Sequence, residues 1–358
     1  MKHFAELEGL RGWLSCWVVT AHILSRSGYH PETLPFPLAL IRQGTPAVLV
    51  FIILSGFVIT HLLMNSKQSY APFLFRRFMR LYPVFLVTLL AAMSLHWMQI
   101  DVLKAVAPYS TAERATGLIE QYRSTEDHFF AHMAAHLPML HGLIDQRLLP
   151  NAAYAFLGTA WSISLEWQFY LIAPLVVLAL MRQPVITIVS LAAAGYLLRH
   201  RLVLNEAFLI NAIVYFAVGI SWAHYVNRPS RINAVLAVSM TAFVFVIGSQ
   251  VAILIWAAVM ALILRPVPPL NRLFTQPSIQ WLGKVSYSTY LWHIITLAVA
   301  QWCLFQVVTP PSQASLLIAT TFLTVPLTLL VSDLSYRFIE KPGIAIGKSA
   351  TRAPAAQT

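Results

Sequence analysis

Long apolar stretches run along nearly the whole chain and are separated by short polar segments. Ten of them approach the roughly 17 to 25 residues that are needed to cross about 30 Å of hydrocarbon. They cover residues 11–27, 46–64, 82–99, 158–181, 184–199, 207–225, 232–248, 250–265, 287–308 and 314–333. The pattern predicts an all-α fold, a polytopic bundle of about ten transmembrane helices. We expect one membrane domain, residues 1–345, followed by a disordered C-terminal tail at 346–358.

Composition supports a membrane location. Of the 358 residues, 58% are hydrophobic and only 10% are charged, whereas soluble domains average about 25% charged residues. The formal net charge of +11 could suggest nucleic acid, but the basic residues occur in short loops between apolar stretches. That distribution is typical of topology selection in membrane proteins. We therefore expect a lipid bilayer, and no nucleic acid, as the partner.

The distribution of Lys and Arg also predicts an orientation. An even number of spans puts both termini on one side, and most basic residues then fall on that side, which predicts cytoplasmic termini in the inner (plasma) membrane. Arg26, Arg42 and Arg114 are among the minority predicted to lie outside. The segment at about 100–157 is the only sizeable loop, and it is expected on the outer side.

The first apolar stretch carries an ionisable pair, Arg11 and His22. Their spacing of eleven residues corresponds to about 16 Å along a helix and returns almost to the same face. His22 is therefore expected near mid-membrane, where ionisable residues are rare and indicate function. A neutral imidazole there could take a proton from an acceptor hydroxyl. The alternative is a packing histidine that is hydrogen-bonded to a neighbouring helix.

Glu166 is the second intramembrane candidate. Ser162, Glu166 and Tyr170 are spaced four residues apart and are predicted to share one helix face. A carboxylate at that depth needs a partner, a proton or a water-filled cavity. It could bind acceptor hydroxyls or orient a base, and the alternative is a structural ion pair.

Three arginines, Arg76, Arg77 and Arg80, precede Pro83 on the predicted cytoplasmic side. Guanidinium groups suit phosphates, and coenzyme A carries several of them. These residues could therefore bind an acyl-CoA donor. The alternative is a positive-inside anchor that contacts anionic lipid.

A late segment places Ser286, Tyr290 and His293 on one helical stripe. If that helix begins near Lys284, His293 lies about 13 Å along it, at a depth close to that of His22. Two imidazoles at one depth suggest a shared polar cavity, with Tyr290 and His293 supporting it. An interhelical hydrogen bond is the alternative for His293.

Two weaker patterns have structural interpretations. Ser55-Gly56-Phe57 lies in the second apolar stretch, where small residues allow close helix packing. Histidines at 128, 132 and 136, with His141 nearby, could form a metal stripe. These histidines are spread over three helical turns, whereas the ligands of one closed metal site rarely are. The pattern therefore favours an interfacial helix, and no metal is expected.

Six segments in order resemble the acyltransferase-3 family of membrane O-acyltransferases. They match the family's basic-x10-His, S-G-F, R-x-x-R-x-x-P, W-S-x-x-x-E-x-x-F-Y, Y-S-x-Y-L-x-H and R-x-x-E-x-P elements. The segments are Leu7–Gly12 with His22, Phe51–Phe57, Arg77–Pro83, Trp161–Tyr170, Ser286–His293 and Tyr336–Pro342.

The resemblance implies about ten membrane helices and transfer of an acyl group, often acetyl, from cytoplasmic acyl-CoA to a carbohydrate across the membrane. It implies that His22 is catalytic with Arg11 as its motif partner, that Glu166 belongs to the site, and that Arg77 and Arg80 serve the donor. Some members carry an esterase-like domain at the C-terminus. The sequence here ends soon after Pro342, so either transfer finishes in this domain or a separate protein completes it.

A proton-coupled transporter is the alternative function, because buried His and Glu residues also relay protons. Inverted-repeat symmetry with broken helices would favour it, and the sequence shows no such symmetry. A third class, a non-enzymatic assembly scaffold, gives the buried ionisable residues no obvious use.

Overall fold

The computed structural model describes residues 4–66, 68–199, 201 and 204–351. Within these ranges the chain is helical and has no β-strand. The α-helices are α1 Ala5–Arg26, α2 Leu38–Arg42, α3 Thr45–Met64, α4 Tyr70–Ser94, α5 His96–Val106, α6 Ala112–Asp127, α7 Phe129–His136, α8 Ala160–Arg182, α9 Pro184–Leu198, α10 Leu209–Asn227, α11 Arg231–Ile247, α12 Gln250–Leu264, α13 Pro268–Thr275, α14 Pro277–Val307, α15 Gln313–Ser335 and α16 Lys341–Ser349. A π-helical turn, Tyr336–Glu340, joins the last two.

Several helices are long and apolar enough to cross a membrane. Within the described ranges there are four, namely α3, α8, α14 and the run Gln313–Ser349 that contains α15 and α16. If each of two bent helix pairs is one span, the number is six: Tyr70–Ser94 with His96–Tyr109, bent by 63°, and Gln250–Leu264 with Pro268–Thr275, bent by 114°. The protein is thus an all-helical membrane protein, while ten spans and cytoplasmic termini remain predictions.

Each predicted stretch coincides with helix, but three details differ from the sequence-based expectation. The predicted third span bends near Leu95, where α4 ends and α5 begins. Helix α14 begins at Pro277, ten residues before its apolar stretch, because proline is well suited to a first helical position. The predicted tail is partly helical: α16 reaches Ser349, and Thr351 is held by Arg76. Residues 352–358 lie outside the described part of the chain.

Helices α1 and α14 run parallel and in close contact, which positions the polar residues of both. At one end, Gln280 Nε2 donates to the Ala5 carbonyl at 2.7 Å, and at the other Gln301 Nε2 donates to the Arg26 carbonyl at 3.1 Å. The backbones approach closely at Gly283, where an added Cβ would lie 2.1 Å from the Glu8 carbonyl oxygen. Small residues of this kind allow tight helix packing in membranes.

A second close pair, α3 and α10, forms the apolar centre. An added Cβ at Gly219 would lie 2.0 Å from the Ile53 carbonyl oxygen. Nearby, the rings of Phe169 and Phe216 stack with centroids 4.1 Å apart. The close-packing interpretation holds for Gly56, where an added Cβ would lie 2.4 Å from the Phe216 carbonyl oxygen. The same packing brings Ser55 of α3 next to α8.

The segment between α5 and α8 covers the end of the bundle that carries the C-terminus of α1. Its histidines pack together: the rings of His136 and His141 stack with centroids 4.0 Å apart, and His136 Nδ1 lies 2.8 Å from the His132 carbonyl. Burial lowers the pKa of His136 to about 4 and that of His141 well below its usual range. Both rings are therefore neutral near pH 7. No three His, Cys, Asp or Glu side chains of the described ranges are placed to hold a metal ion.

Candidate active site

His22 and His293 are in direct contact. Nδ1 of His22 lies 2.9 Å from the Val18 carbonyl and 3.3 Å from Nε2 of His293. Nδ1 of His293 lies 3.2 Å from the Thr289 carbonyl. Because a carbonyl oxygen only accepts hydrogen bonds, each Nδ1 carries the proton, and each Nε2 of a neutral ring then has a lone pair. The lone pair of His293 Nε2 faces the Nδ1–H of His22. The equal depth predicted for the two imidazoles is correct, although α14 begins earlier than expected.

The Nε2 atom of His22 is the group available for chemistry. It has no hydrogen-bond partner among the described residues, and His22 lines a cavity of about 500 Å³ at the C-terminal half of α1. We name this space the outer cavity. Its lining includes His22, Arg26, Arg42, Arg114, Tyr154, Trp161, Glu206, Asn211 and Tyr290. An unprotonated Nε2 beside a space of this size can accept a proton from a bound hydroxyl.

Glu166 lies in a separate, smaller space, which we name the inner pocket. This pocket of about 60 Å³ is lined by Arg11, Ser55, Ser162, Glu166, Tyr287 and Tyr290, among others. The carboxylate of Glu166 accepts hydrogen bonds from Ser55 Oγ, at 3.1 Å, and from the hydroxyl of Tyr170. The predicted face of Ser162, Glu166 and Tyr170 is therefore part of one polar network.

Tyr290 joins the two spaces, since it lines both the inner pocket and the outer cavity. Its hydroxyl accepts a hydrogen bond from Ser162 Oγ at 2.7 Å. The sequence places these two residues and His293 in a supporting role around a shared cavity. In the structure Ser162 and Tyr290 line the inner pocket with Arg11 and Glu166, and His293 contacts His22.

The predicted donor-binding arginines separate into two groups. Arg77 and Arg80 lie within electrostatic range of Arg11 and Glu166. Arg76 instead donates from Nε to Thr351 Oγ1 at 2.5 Å and contacts the end of the chain. We refer to Arg11, Arg77 and Arg80 as the inner arginines.

The inner arginines are partly buried and have no direct carboxylate partner among the described residues. Glu8, Glu166 and Glu340 lie within electrostatic range of Arg80, but no ion pair of the described residues includes Arg11, Arg77 or Arg80. The Nε atoms of Arg11 and Arg77 are buried without a hydrogen-bond partner in the same ranges. Buried donors of this kind require an acceptor, and phosphate oxygens are suitable acceptors for guanidinium groups.

Sequence patterns alone missed two residues of this network. Glu340 is buried and accepts a hydrogen bond from Ser288 Oγ at 2.8 Å. Glu340 belongs to the R-x-x-E-x-P segment, and its position as an acidic residue next to an apolar stretch is the sequence feature that could have identified it. Ser55 was interpreted as packing, and its bond to Glu166 depends on which helices are neighbours. A periodic pattern within one helix does not contain that information.

Comparisons with known proteins agree with this arrangement. A family model described as an acyltransferase domain matches residues 4–337. The peptidoglycan O-acetyltransferase OatA of Listeria monocytogenes is 25% identical over 95% of this chain and 56% of its own length. BcsY of Komagataeibacter xylinus, named as a membrane-bound transacylase, is 27% identical over 95% of this chain and 82% of its own.

The O-acetyltransferase OatA of Staphylococcus aureus is 22% identical over 95% of this chain and 57% of its own length. The chain therefore spans little more than half the length of the OatA relatives. No solved structure matches the chain. The family model covers nearly every described residue, and the chain therefore belongs to the acyltransferase-3 family.

Proposed function

We propose that this protein is an O-acetyltransferase that moves an acetyl group from cytoplasmic acetyl-CoA to a hydroxyl of an envelope or exported carbohydrate. The observation that carries the proposal is the free Nε2 of His22 at the wall of the outer cavity. The relatives named as O-acetyltransferases support the acetyl group and the hydroxyl acceptor. The inner membrane is the corresponding location.

The inner arginines are the proposed binding site for the phosphates of the donor. Buried guanidinium nitrogens without partners, on Arg11 and Arg77, suit an entering polyanion. The inner pocket then leads from Arg11 towards Tyr290, which together with Val48 also lines the outer cavity. Glu166 is held by Ser55 and Tyr170 on this donor side, so we assign it to positioning the inner arginines.

The reaction that we propose is a direct transfer. Nε2 of His22 takes the proton of the acceptor hydroxyl while the hydroxyl oxygen bonds to the thioester carbonyl carbon. The carbon–sulfur bond then breaks, and the imidazolium returns the proton to the leaving thiolate of coenzyme A. The His293 lone pair accepts from the Nδ1 proton of His22 and stabilises the imidazolium. General-base catalysis of this kind typically increases the reaction rate by a factor of about 10² to 10⁴.

The aromatic and polar residues that line the outer cavity support a carbohydrate acceptor. Tyr154 and Trp161 line it together with the polar Asn211 and Glu206. Ligand sites typically combine apolar or aromatic walls with a few placed polar groups. A sugar presents both kinds of surface.

The proposal is tested by thiol release. The protein in lipid nanodiscs is given acetyl-CoA with and without soluble oligosaccharides, both neutral and carrying carboxylate or phosphate groups, and the free thiol of coenzyme A is measured. We expect release to increase with at least one saccharide and acetyl ester to appear on that saccharide by mass spectrometry. No acetyl ester on any saccharide of the panel, with the protein folded and acetyl-CoA bound, would overturn the proposal.

A further inference from the structure

Three arginines from three separate helices converge on the outer cavity. Arg26 ends α1, Arg42 ends α2 and Arg114 lies in α6, and all three line the same space as His22. They lie at the opposite end of α1 from Arg11. Topology selection keeps basic residues in the cytoplasm, so in the predicted orientation it does not account for a cluster on the outer side.

Each guanidinium is fixed by a neighbour. Arg42 Nε donates to the Tyr29 carbonyl at 2.9 Å, and Arg114 Nη2 donates to Ser25 Oγ at 2.6 Å. Arg26 Nη2 makes a longer contact, 3.4 Å, to the Tyr122 hydroxyl. A guanidinium that is already oriented loses less freedom when it binds a ligand.

Each of the three also keeps an unsatisfied donor. Arg26 Nη1, Arg42 Nη2 and Arg114 Nε are buried and have no hydrogen-bond partner in the part of the chain that the structure describes. Native proteins rarely leave buried donors unpaired, and such groups indicate an ion, a water molecule or a ligand. Three such donors around one cavity favour a ligand with several acceptor oxygens.

The charge of the cluster is not balanced by direct partners. Arg26, Arg42 and Arg114 take part in no ion pair of the described residues. Glu206 lines the cavity, and Glu32 acts on Arg42 and Arg114 electrostatically. Burial, followed by repulsion from Arg114, lowers the pKa of Arg42 to about 10, so the Arg42 guanidinium remains charged near pH 7. Like charges held together are stabilised by a bound anion.

We propose that the outer cavity selects an anionic acceptor, a sugar that carries a carboxylate or phosphate group. Arg26, Arg42 and Arg114 hold the anionic group, and a hydroxyl of the same molecule meets Nε2 of His22. Charge-assisted, forked hydrogen bonds give arginine its preference for these groups. The inference rests on the proposed function for the identity of the acceptor, but the binding preference is independent of catalysis.

Binding without the acetyl donor tests the inference separately from the reaction. A hyaluronan tetrasaccharide, which carries glucuronate, is compared with neutral chitotetraose and with N-acetylglucosamine 1-phosphate by calorimetry on the protein in nanodiscs. We expect at least one anionic sugar to bind about tenfold or more tightly than chitotetraose. The two anionic probes distinguish a carboxylate from a phosphate. Equal affinity for neutral and anionic sugars would overturn the inference.

Variants of the arginines at the outer cavity test which residues cause the preference for anionic sugars. Arg42→Gln and Arg114→Gln are each expected to reduce the anionic preference about tenfold, and Arg114→Lys is expected to retain part of it. Arg123→Gln is the matched control, because Arg123 is exposed on the same helix α6 and does not line the cavity. Thermal unfolding of each variant separates lost binding from lost fold. An unchanged preference in both folded Gln variants would contradict the inference, whether or not the protein transfers acetyl groups.

Discussion

Replacing His22 with alanine is expected to lower acetyl transfer by a factor of about 10² to 10⁴. The expected loss follows because His22 lines the outer cavity and its Nε2 has no hydrogen-bond partner among the described residues, while Nδ1 is bound to the Val18 carbonyl and lies close to His293. His22→Gln is expected to lose as much, because an amide keeps a polar group at the same place but does not accept the proton. The measurement is the rate of acetyl ester formation with saturating donor and acceptor.

Thr20→Ala is the control for this experiment. Thr20 is exposed on the same helix, and its hydroxyl donates a hydrogen bond to the Cys16 carbonyl of that helix at 2.9 Å. It is expected to retain the wild-type rate. A His22→Ala protein that inserts stably, binds both substrates and transfers at an undiminished rate would remove His22 from the reaction.

Replacing Arg77 with glutamine is expected to weaken acetyl-CoA binding about tenfold or more, since hydrogen bonds to charged groups contribute about 1.5–3 kcal/mol. Arg77 is a clearer test of donor binding than Arg80. Glu8, Glu166 and Glu340 all interact electrostatically with Arg80, so replacing Arg80 would also remove positive charge that stabilises these carboxylates. The buried Nε of Arg77 has no partner in the described ranges. The measurement is calorimetric titration with acetyl-CoA, repeated with dephospho-CoA to compare the phosphates.

Arg272→Gln is the control for the donor site, since Arg272 is exposed in α13 and lies next to Asn271, which binds Glu6. Arg76→Gln adds a comparison within α4. Because Arg76 is bound to Thr351, its replacement is expected to cost less donor affinity than that of Arg77. Donor affinity that is unchanged in a folded Arg77→Gln protein would exclude Arg77 from the donor site.

The sequence predicted the helices well because hydrophobic length is a local property. Each predicted apolar stretch coincides with helix, and the depth argument places His22 and His293 at one level, where the two rings are in contact. The errors of the sequence-based helix prediction also have local causes. The start of α14 at Pro277 was missed because the first turns contain polar Gln280 and Lys284, which reduce hydropathy without ending a helix.

The sequence pattern does not predict which helices pack against each other. The separation of Glu166 from His22 by Tyr290 depends on how α1, α3, α8 and α14 pack. The arginines at the outer cavity come from α1, α2 and α6, and only the fold brings Arg42 and Arg114 to the end of α1. Arg76, Arg77 and Arg80 looked equivalent by spacing, but the contact with Thr351 separates Arg76 from the other two.

The most direct test of the account is whether donor and acceptor react from opposite sides of a membrane. Proteoliposomes are loaded with radiolabelled acetyl-CoA, and a saccharide that accepts acetyl in the thiol-release assay is added outside. The arrangement of inner arginines, inner pocket and outer cavity predicts labelled ester on the external saccharide, and none with His22→Ala vesicles. Label that forms only when donor and saccharide are enclosed on the same side would contradict it.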